Sequence, residues 1–289
     1  MDIKKLNSLL PSLQRYEALN GAEISRIEFY SSSLFPLYKA KTSSKDLAIK
    51  VLDSFKMAES ESHALIYMQE QGAFVPYCYG FFSQAEKYYL VMDFIEGGGR
   101  RSEDSIYNSL FSLYRNTSTH WGWKEHNYIG NIYQTNRLSE SFREYWLAYR
   151  IEPLIRLAEQ KGELDSSLAH KLIQLIDHLI EIWKLEKLTP RLIHGDLWSG
   201  NAIAGKEGKL YLIDPCLAFG HPEQDFGMMR MFGGFPGSSW MKRLGDSLSL
   251  DPELEERIPF WQIYPVLVHI VIFGRSYLSS LNTIIRAYS

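Results

Sequence analysis

The sequence predicts an α+β protein of two lobes, a small N-terminal antiparallel β lobe carrying one helix and a larger, mainly helical C-terminal lobe. Three observations predict it. Strand-like segments crowd the first hundred residues, the glycine-rich "EGGGR" at 96–100 interrupts the chain, and beyond it apolar residues recur at helical spacing. The lobes are expected to span 1–96 and 97–289, with a cleft between them as the natural place for a ligand.

The elements follow in order. "ISRIEFY", "LFPLYKA" and "DLAIKVL" between residues 24 and 52 read as strands, separated by a serine triplet and by the turn-like "TSSK". "MAESESHALIYMQEQG" reads as a helix that stops at Gly72. "KYYLVMDFI", rich in β-branched and aromatic residues, is a further strand. Past the glycines, 104–119 and 141–160 read as helices. The clearest helix is 166–186, where Leu168, Leu172, Leu175, Ile176, Leu179 and Trp183 share one face and Asp165 stands as N-cap. "KLYLIDP" is a short strand, and the chain from about 222 is mostly helical.

Composition narrows the function. Of 289 residues, 45% are hydrophobic and the formal net charge is -3 with basic residues spread along the chain, which argues against a nucleic-acid binder. Cys78 and Cys216 are too few for a disulfide framework and lack metal-site spacing, as expected of a cytoplasmic protein. The first sixteen residues do not read as a signal peptide. "IPFWQIYPVLVHIVIFG" (258–274) is free of Lys, Arg, Asp and Glu, but it is short for a membrane span and carries Gln262, Pro265 and His269. A buried core helix is expected, with no membrane partner.

The chemistry sits in "LIHGDLWSGN". His194, Asp196 and Asn201 have the spacing H-x-D-x-x-x-x-N, in which the Asp accepts the proton of an attacking hydroxyl and the Asn holds a metal ion. Asp214 in "LYLIDP", thirteen residues after Asn201, supplies the second oxygen ligand that Mg²⁺ prefers. In the N-terminal lobe, "LAIK" ends in Lys50, placed to hold nucleotide phosphates. Glu61 on the following helix is the expected ion-pair partner and Glu59 the weaker candidate. The backbone of Asp93, Phe94 and Ile95 is expected to face an adenine ring. Each part alone has a plain structural reading, such as a solvated lysine, a surface glutamate or a turn. Order and spacing together point to phosphoryl transfer from ATP. Asp196 needs hydrogen-bond reach rather than a raised pKa.

"HGDLWSGN" with "LIDP" resembles the phosphotransferases of the protein-kinase-like fold that include aminoglycoside and choline kinases. "WGWKEHNYIGNIYQ" (121–134), "LIDPCLAFGHPEQDFGMMRMFGGFP" (212–236) and "LDPELEERIPFWQIYPVL" (250–267) narrow the resemblance to the fructosamine kinase, or ketosamine-3-kinase, family. It runs through nearly the whole chain. It implies ATP-dependent phosphorylation of a sugar hydroxyl on a glycated small amine or glycated protein, with Mg²⁺. In that reading Asp196 is the catalytic base, Asn201 and Asp214 bind the metal, and Lys50 with Glu61 orients the nucleotide. Trp198 lies beside the sugar, Asn127 and Gln134 line the acceptor side, and His194 and Asp225 support the loop.

The chain departs from the family where "YSSSLFPLYKA" replaces glycines in the first turn, leaving Ser32 and Ser33 to meet phosphates. Lys124 and His126 stand where the family carries acids. Two alternatives stay open, a kinase of the same fold acting on an aminoglycoside, choline or homoserine, and a nucleotide-binding pseudokinase. The sequence leaves the oligomeric state undetermined.

Overall fold

The computed structural model describes Leu13 and residues 22–32, 34–250 and 254–288. Strands β1 (Ile24–Ser32), β2 (Pro36–Thr42), β3 (Asp46–Leu52), β4 (Cys78–Gln84) and β5 (Lys87–Asp93) form one antiparallel sheet of order β1-β2-β3-β5-β4. β3 is central and buried on both faces. Its period of two sends Leu47, Ile49 and Val51 to one side, packed with Tyr38, Tyr89 and Val91. Ala48 and Leu52 go to the other, under helix α1 (Phe55–Glu70) with Ala58, Leu65 and Met68. Lys50 falls on that second face. Ser54 caps α1 by accepting from the Met57 N–H at 3.2 Å.

β4 is the strand the sequence reading passed over. Its hairpin with β5 turns through Ala85 and Glu86, both at positive φ (49° and 60°), without the Asn-Gly signal such a turn usually carries.

The larger part is helical, as expected: α2 (Glu103–Tyr114), α3 (Phe142–Trp146), α4 (Glu152–Gln160), α5 (Ser166–Ile182), α6 (Pro222–Phe232), α7 (Ser239–Leu248), α8 (Leu254–Phe273) and α9 (Leu278–Ala287). α2 stops five residues early because the Asn116 side chain donates to the carbonyls of Ser112 and Leu113, both at 2.9 Å, closing the last turn. The helix expected at 141–160 is interrupted by a π turn at Leu147–Ile151, just ahead of Pro153, whose missing N–H breaks the regular ladder. Asp165 caps α5 as expected, accepting from Leu168 N–H at 2.9 Å. The strand expected in "KLYLIDP" is β10 (Leu210–Leu212), paired with β9 (Ala202–Ala204); its partner and two further two-stranded ribbons, β6 (Asn127–Ile129) with β7 (Ile132–Gln134) and β8 (Arg191–Ile193) with β11 (Ala218–Gly220), were not foreseen. They carry the loops of the site.

α8 is the apolar segment read as a core helix, and it is one. Phe260, Trp261, Ile263, Leu267 and Ile270 are fully buried against α3, α4 and α5. Among the described residues, the helical stretch 255–287 is long and apolar enough to cross a membrane, with 67% of its apolar window buried inside the protein.

Candidate active site

The loop after β8 is set by its neighbours. Gly195 has φ +80°, and a Cβ there would lie 2.0 Å from the Cys216 carbonyl oxygen, so only glycine lets the two segments meet. Asp225, at the start of α6, accepts from the His194 N–H (2.9 Å), the Gly195 N–H (2.8 Å) and the Tyr114 hydroxyl (3.0 Å). That is the brace expected of it. Burial pushes Asp225 up to about 6, held back by these donors. His194 is fully buried. Its Nε2–H donates to Ile213 O at 2.8 Å, and Nδ1 accepts from the Asp196 N–H at 3.3 Å, so one imidazole ties the Asp196 loop to the Asp214 segment. Burial lowers His194 to about 4 and keeps it neutral.

Asp196 is half-buried. Asn201 Nδ2 donates to its carbonyl oxygen (2.8 Å) and to Oδ2 (3.1 Å). Among the described residues Oδ1 has no partner, which leaves it open to a substrate proton. Burial pushes Asp196 up to about 8, the Asp214 charge adds to this, and Asn201 pulls it down. An open carboxylate oxygen within hydrogen-bond reach is what a proton acceptor needs.

From the small lobe, Lys50 Nζ donates to both Glu61 oxygens at 2.8 Å and lies 3.0 Å from Asp214 Oδ1. Glu61, not Glu59, is the partner. Burial alone would lower Lys50, but Asp214 and Glu61 outweigh it and hold the ammonium above its usual range. Asp214 sits at φ +56°, a left-handed conformation that few non-glycine residues adopt.

These groups line one cavity of about 350 Å³. Leu34, Phe35 and Met57 enter from the small lobe, Tyr128, Ile129 and Gly130 from the β6–β7 turn, and Phe232, Val268, His269, Ile272, Phe273 and Tyr277 from the C-terminal helices. Trp198 also lines it, 39% exposed, with its ring folded over Gly200, where a Cβ would meet the indole at 2.2 Å. Leu197 beside it is fully buried and fills the core.

Other expected site residues lie elsewhere. Asn127 and Gln134 do not line the cavity. They are buried in an amide network in which Asn127 donates to Leu217 O (2.9 Å), Gln134 donates to Asn127 Oδ1 (3.0 Å), and Tyr264 donates to Gln134 Oε1 (2.5 Å). Their polar groups are spent on holding the β6–β7 ribbon to Leu217, which corrects the acceptor-side expectation. Ser32, Asp93, Phe94 and Ile95 are also absent from the lining. The N–H groups of Asp93 and Phe94 are taken by Tyr77 O (2.9 Å) and Asp46 O (3.0 Å), so neither can serve an adenine ring in this arrangement. Ser32 ends β1, paired with Pro36 of β2. Ser33 lies outside the described residues.

One residue was missed entirely. Arg101, just past the glycines, donates to the carbonyls of Ser199 (3.0 Å), Ala202 (2.6 Å) and Gly234 (2.6 Å), clasping the turn that presents Asn201. A cation after a flexible break reads as solvated, and nothing local signals those partners.

The donor set suits a divalent cation. The Asn201 amide nitrogen is committed to Asp196, which leaves its oxygen as a ligand, and the Asp214 carboxylate is 36% exposed to the cavity. Two hard oxygen donors from protein, with the rest from phosphates and water, is the usual composition of a Mg²⁺–nucleotide site. Among the described residues no group of three or more His, Cys, Asp or Glu is placed to hold a metal ion.

The fructosamine kinase family model matches residues 18–288. A probable ketoamine kinase of Enterococcus faecium is 29% identical over 253 residues, covering 87% of this chain and 90% of that protein. The chloroplastic protein-ribulosamine 3-kinase of Arabidopsis thaliana is 32% identical over 204 residues, covering 69% of this chain and 61% of that protein. Among solved structures, one from Thermobifida fusca assigned to the fructosamine-3-kinases superposes with a TM-score of 0.86 at 24% identity, covering 98% of both chains. An aminoglycoside phosphotransferase shares the fold at a TM-score of 0.65 and 12% identity, covering 97% of this chain and 98% of that one.

Proposed function

The chain belongs to the fructosamine kinase family, and on that footing we propose that it transfers the γ-phosphoryl group of ATP to a sugar hydroxyl of a ketosamine. The convergence of Lys50, Glu61 and Asp214 within 3.0 Å contacts, in the cavity that also holds Asp196 and Asn201, is the observation that carries this reading.

Asp196 Oδ1 takes the proton of the acceptor hydroxyl as its oxygen bonds to the γ-phosphorus and the bond to the β-phosphate oxygen breaks, releasing ADP. Lys50, kept charged by its two carboxylates, neutralises phosphate oxygens and is aimed by Glu61. Asn201 and Asp214 would hold Mg²⁺, which when bound would supply charge neutralisation on the phosphates. Trp198 offers the apolar face of an indole to the C–H face of the sugar. We place the boundary between the lobes at 96/97. The free, buried Cys78 and Cys216 fit a reducing, cytoplasmic setting in which such a kinase removes glycation adducts.

ATP turnover with a panel of glycated amines, with free sugars, choline and an aminoglycoside as controls, tests the reading. Ketosamines are expected to be phosphorylated, and turnover of choline alone would overturn the assignment. Asp196→Asn is expected to cut turnover ~10²–10⁴-fold while nucleotide still binds. Near-full activity in that variant would remove the base assignment.

A further inference from the structure

Apart from the imidazole of His269, the lining side chains of acidic or basic residues are Lys50, Glu61, Asp196 and Asp214, all engaged at the phosphoryl-transfer end. The opposite wall is aromatic. Trp198 meets Phe232 with ring centroids 6.0 Å apart, Phe232 meets His269 at 5.0 Å, and His269 meets Phe273 at 5.4 Å and Tyr277 at 4.9 Å. The last three stand four residues apart, on one side of α8 and the turn that follows it. Phe273 is 59% exposed and Phe232 37%, which is costly for rings that do nothing. His269 donates Nδ1–H to Pro265 O at 2.7 Å, and burial lowers its pKa, so the ring stays neutral and part of the wall.

Resting on the ketosamine reading above, we propose that this wall receives the amine substituent of the substrate and selects substituents that are aromatic or aliphatic and uncharged. A hydroxyl presented to Asp196 brings the sugar against Trp198, two residues along the loop. The substituent on the sugar's amine then continues toward Phe232, Phe273 and Tyr277. The secondary ammonium of the ketosamine itself is accommodated over ring faces. A carrier bearing its own carboxylate and ammonium, as an amino acid does, meets no group there to replace its water. A polycation finds no carboxylate beyond those already engaged.

The test compares kcat/KM for fructosamines of methylamine, benzylamine and free lysine. The benzylamine compound is expected to exceed the lysine compound at least about tenfold, the scale of an apolar contact in a substrate pocket. Phe273→Ala and Tyr277→Ala are expected to lower the benzylamine-to-methylamine ratio severalfold. Phe273→Glu is expected to raise the relative rate on the fructosamine of a diamine with a free ammonium, a gain that misfolding cannot produce. Turnover of the methylamine compound with no preference among carriers, or ratios untouched by all three variants, would overturn the inference and leave the ketosamine reading standing. No turnover of any ketosamine would overturn both.

Discussion

Lys50 and Arg257 are both buried cations held by carboxylates, yet their surroundings are opposite. Arg257, 1% exposed, gives Nε and Nη2 to the two oxygens of Glu223 at 2.9 and 2.6 Å, and Trp261 Nε1 closes the same carboxylate at 2.6 Å. Both oxygens of Glu223 are met, and the group is sealed in the core. Lys50 lies between two carboxylates; burial pushes Glu61 up to about 7 against the pull of the ammonium, and the other carboxylate, Asp214, opens to the cavity. A sealed pair orders the fold and asks for nothing more. An open one leaves a carboxylate for a cation, which a metal–nucleotide complex brings. Neither distinction could be drawn from a lysine or an arginine in the sequence alone.

Substitutions in the two clusters are expected to separate activity from stability. Lys50→Met removes the ammonium that meets the phosphates, and kcat is expected to fall ~10²–10³-fold, the scale for losing one preorganised charge donor. Its thermal midpoint should stay near wild type, because Glu61 and Asp214 can turn toward water in the cavity. Glu223→Ala removes the carboxylate that holds the buried Arg257 and Trp261 and is expected to cost ~3–5 kcal/mol in denaturant unfolding, with kcat per folded molecule retained. If Lys50→Met unfolded the protein as readily as Glu223→Ala, the contrast between the clusters would be lost.

A smaller effect distinguishes the braces by pH. His194 would take a proton near pH 6.5 in the unfolded chain but only near about 4 in the fold, since burial disfavours the cation. The stability due to its neutral form is whole above pH 6.5 and is lost as pH falls toward 4. Asp225 runs the other way, because its folded pKa is raised to about 6, so protonation between 6 and 4 favours the fold. The wild-type acid limb is therefore shallow. The stability gap between wild type and His194→Gln is expected to shrink by about 3 kcal/mol from pH 7 to pH 4, measured by urea unfolding. A gap that stays constant would show that His194 does not titrate differently in the two states.

The two clusters also show what the sequence could carry. Lys50, Glu61, Asp196, Asn201 and Asp214 were legible because short loops, a strand and a helix fix their spacing, and the same patterns gave the β lobe and helical lobe that the structure displays. Asn127 and Gln134 misled because a buried amide and a ligand-binding amide look alike until their partners are known, and Leu217 and Tyr264 lie 90 and 130 residues away. The aromatic wall was illegible for the same reason, since Trp198, Phe232 and Phe273 come from three separate segments. Strand β4 was missed because its turn uses Ala85 and Glu86 rather than a turn residue.

Arg101 sets the smallest test, and it joins the two halves of the contrast. Its guanidinium is balanced by carbonyls rather than a carboxylate, and burial lowers its pKa without leaving the charged range. Two of those carbonyls, Ser199 O and Ala202 O, flank Asn201 in the turn that presents it, and the third, Gly234 O, ties that turn to the segment after α6, so the arginine acts on metal binding only through the turn. Arg101→Ala is expected to raise the Mg²⁺ concentration for half-maximal rate by severalfold to about tenfold, the scale for residues that orient a metal ligand. The thermal midpoint should fall by only a few degrees, because Gly234 is exposed and Ser199 half-buried, so both carbonyls can take water, while Ala202 alone is buried. Arg101→Lys keeps the charge but cannot span three carbonyls with a planar fork, and it is expected to restore little of the Mg²⁺ dependence. Full rescue by lysine would mean that charge rather than geometry holds the turn. An unchanged Mg²⁺ requirement in the alanine variant would mean that the clasp belongs with Arg257, as an element of the fold alone.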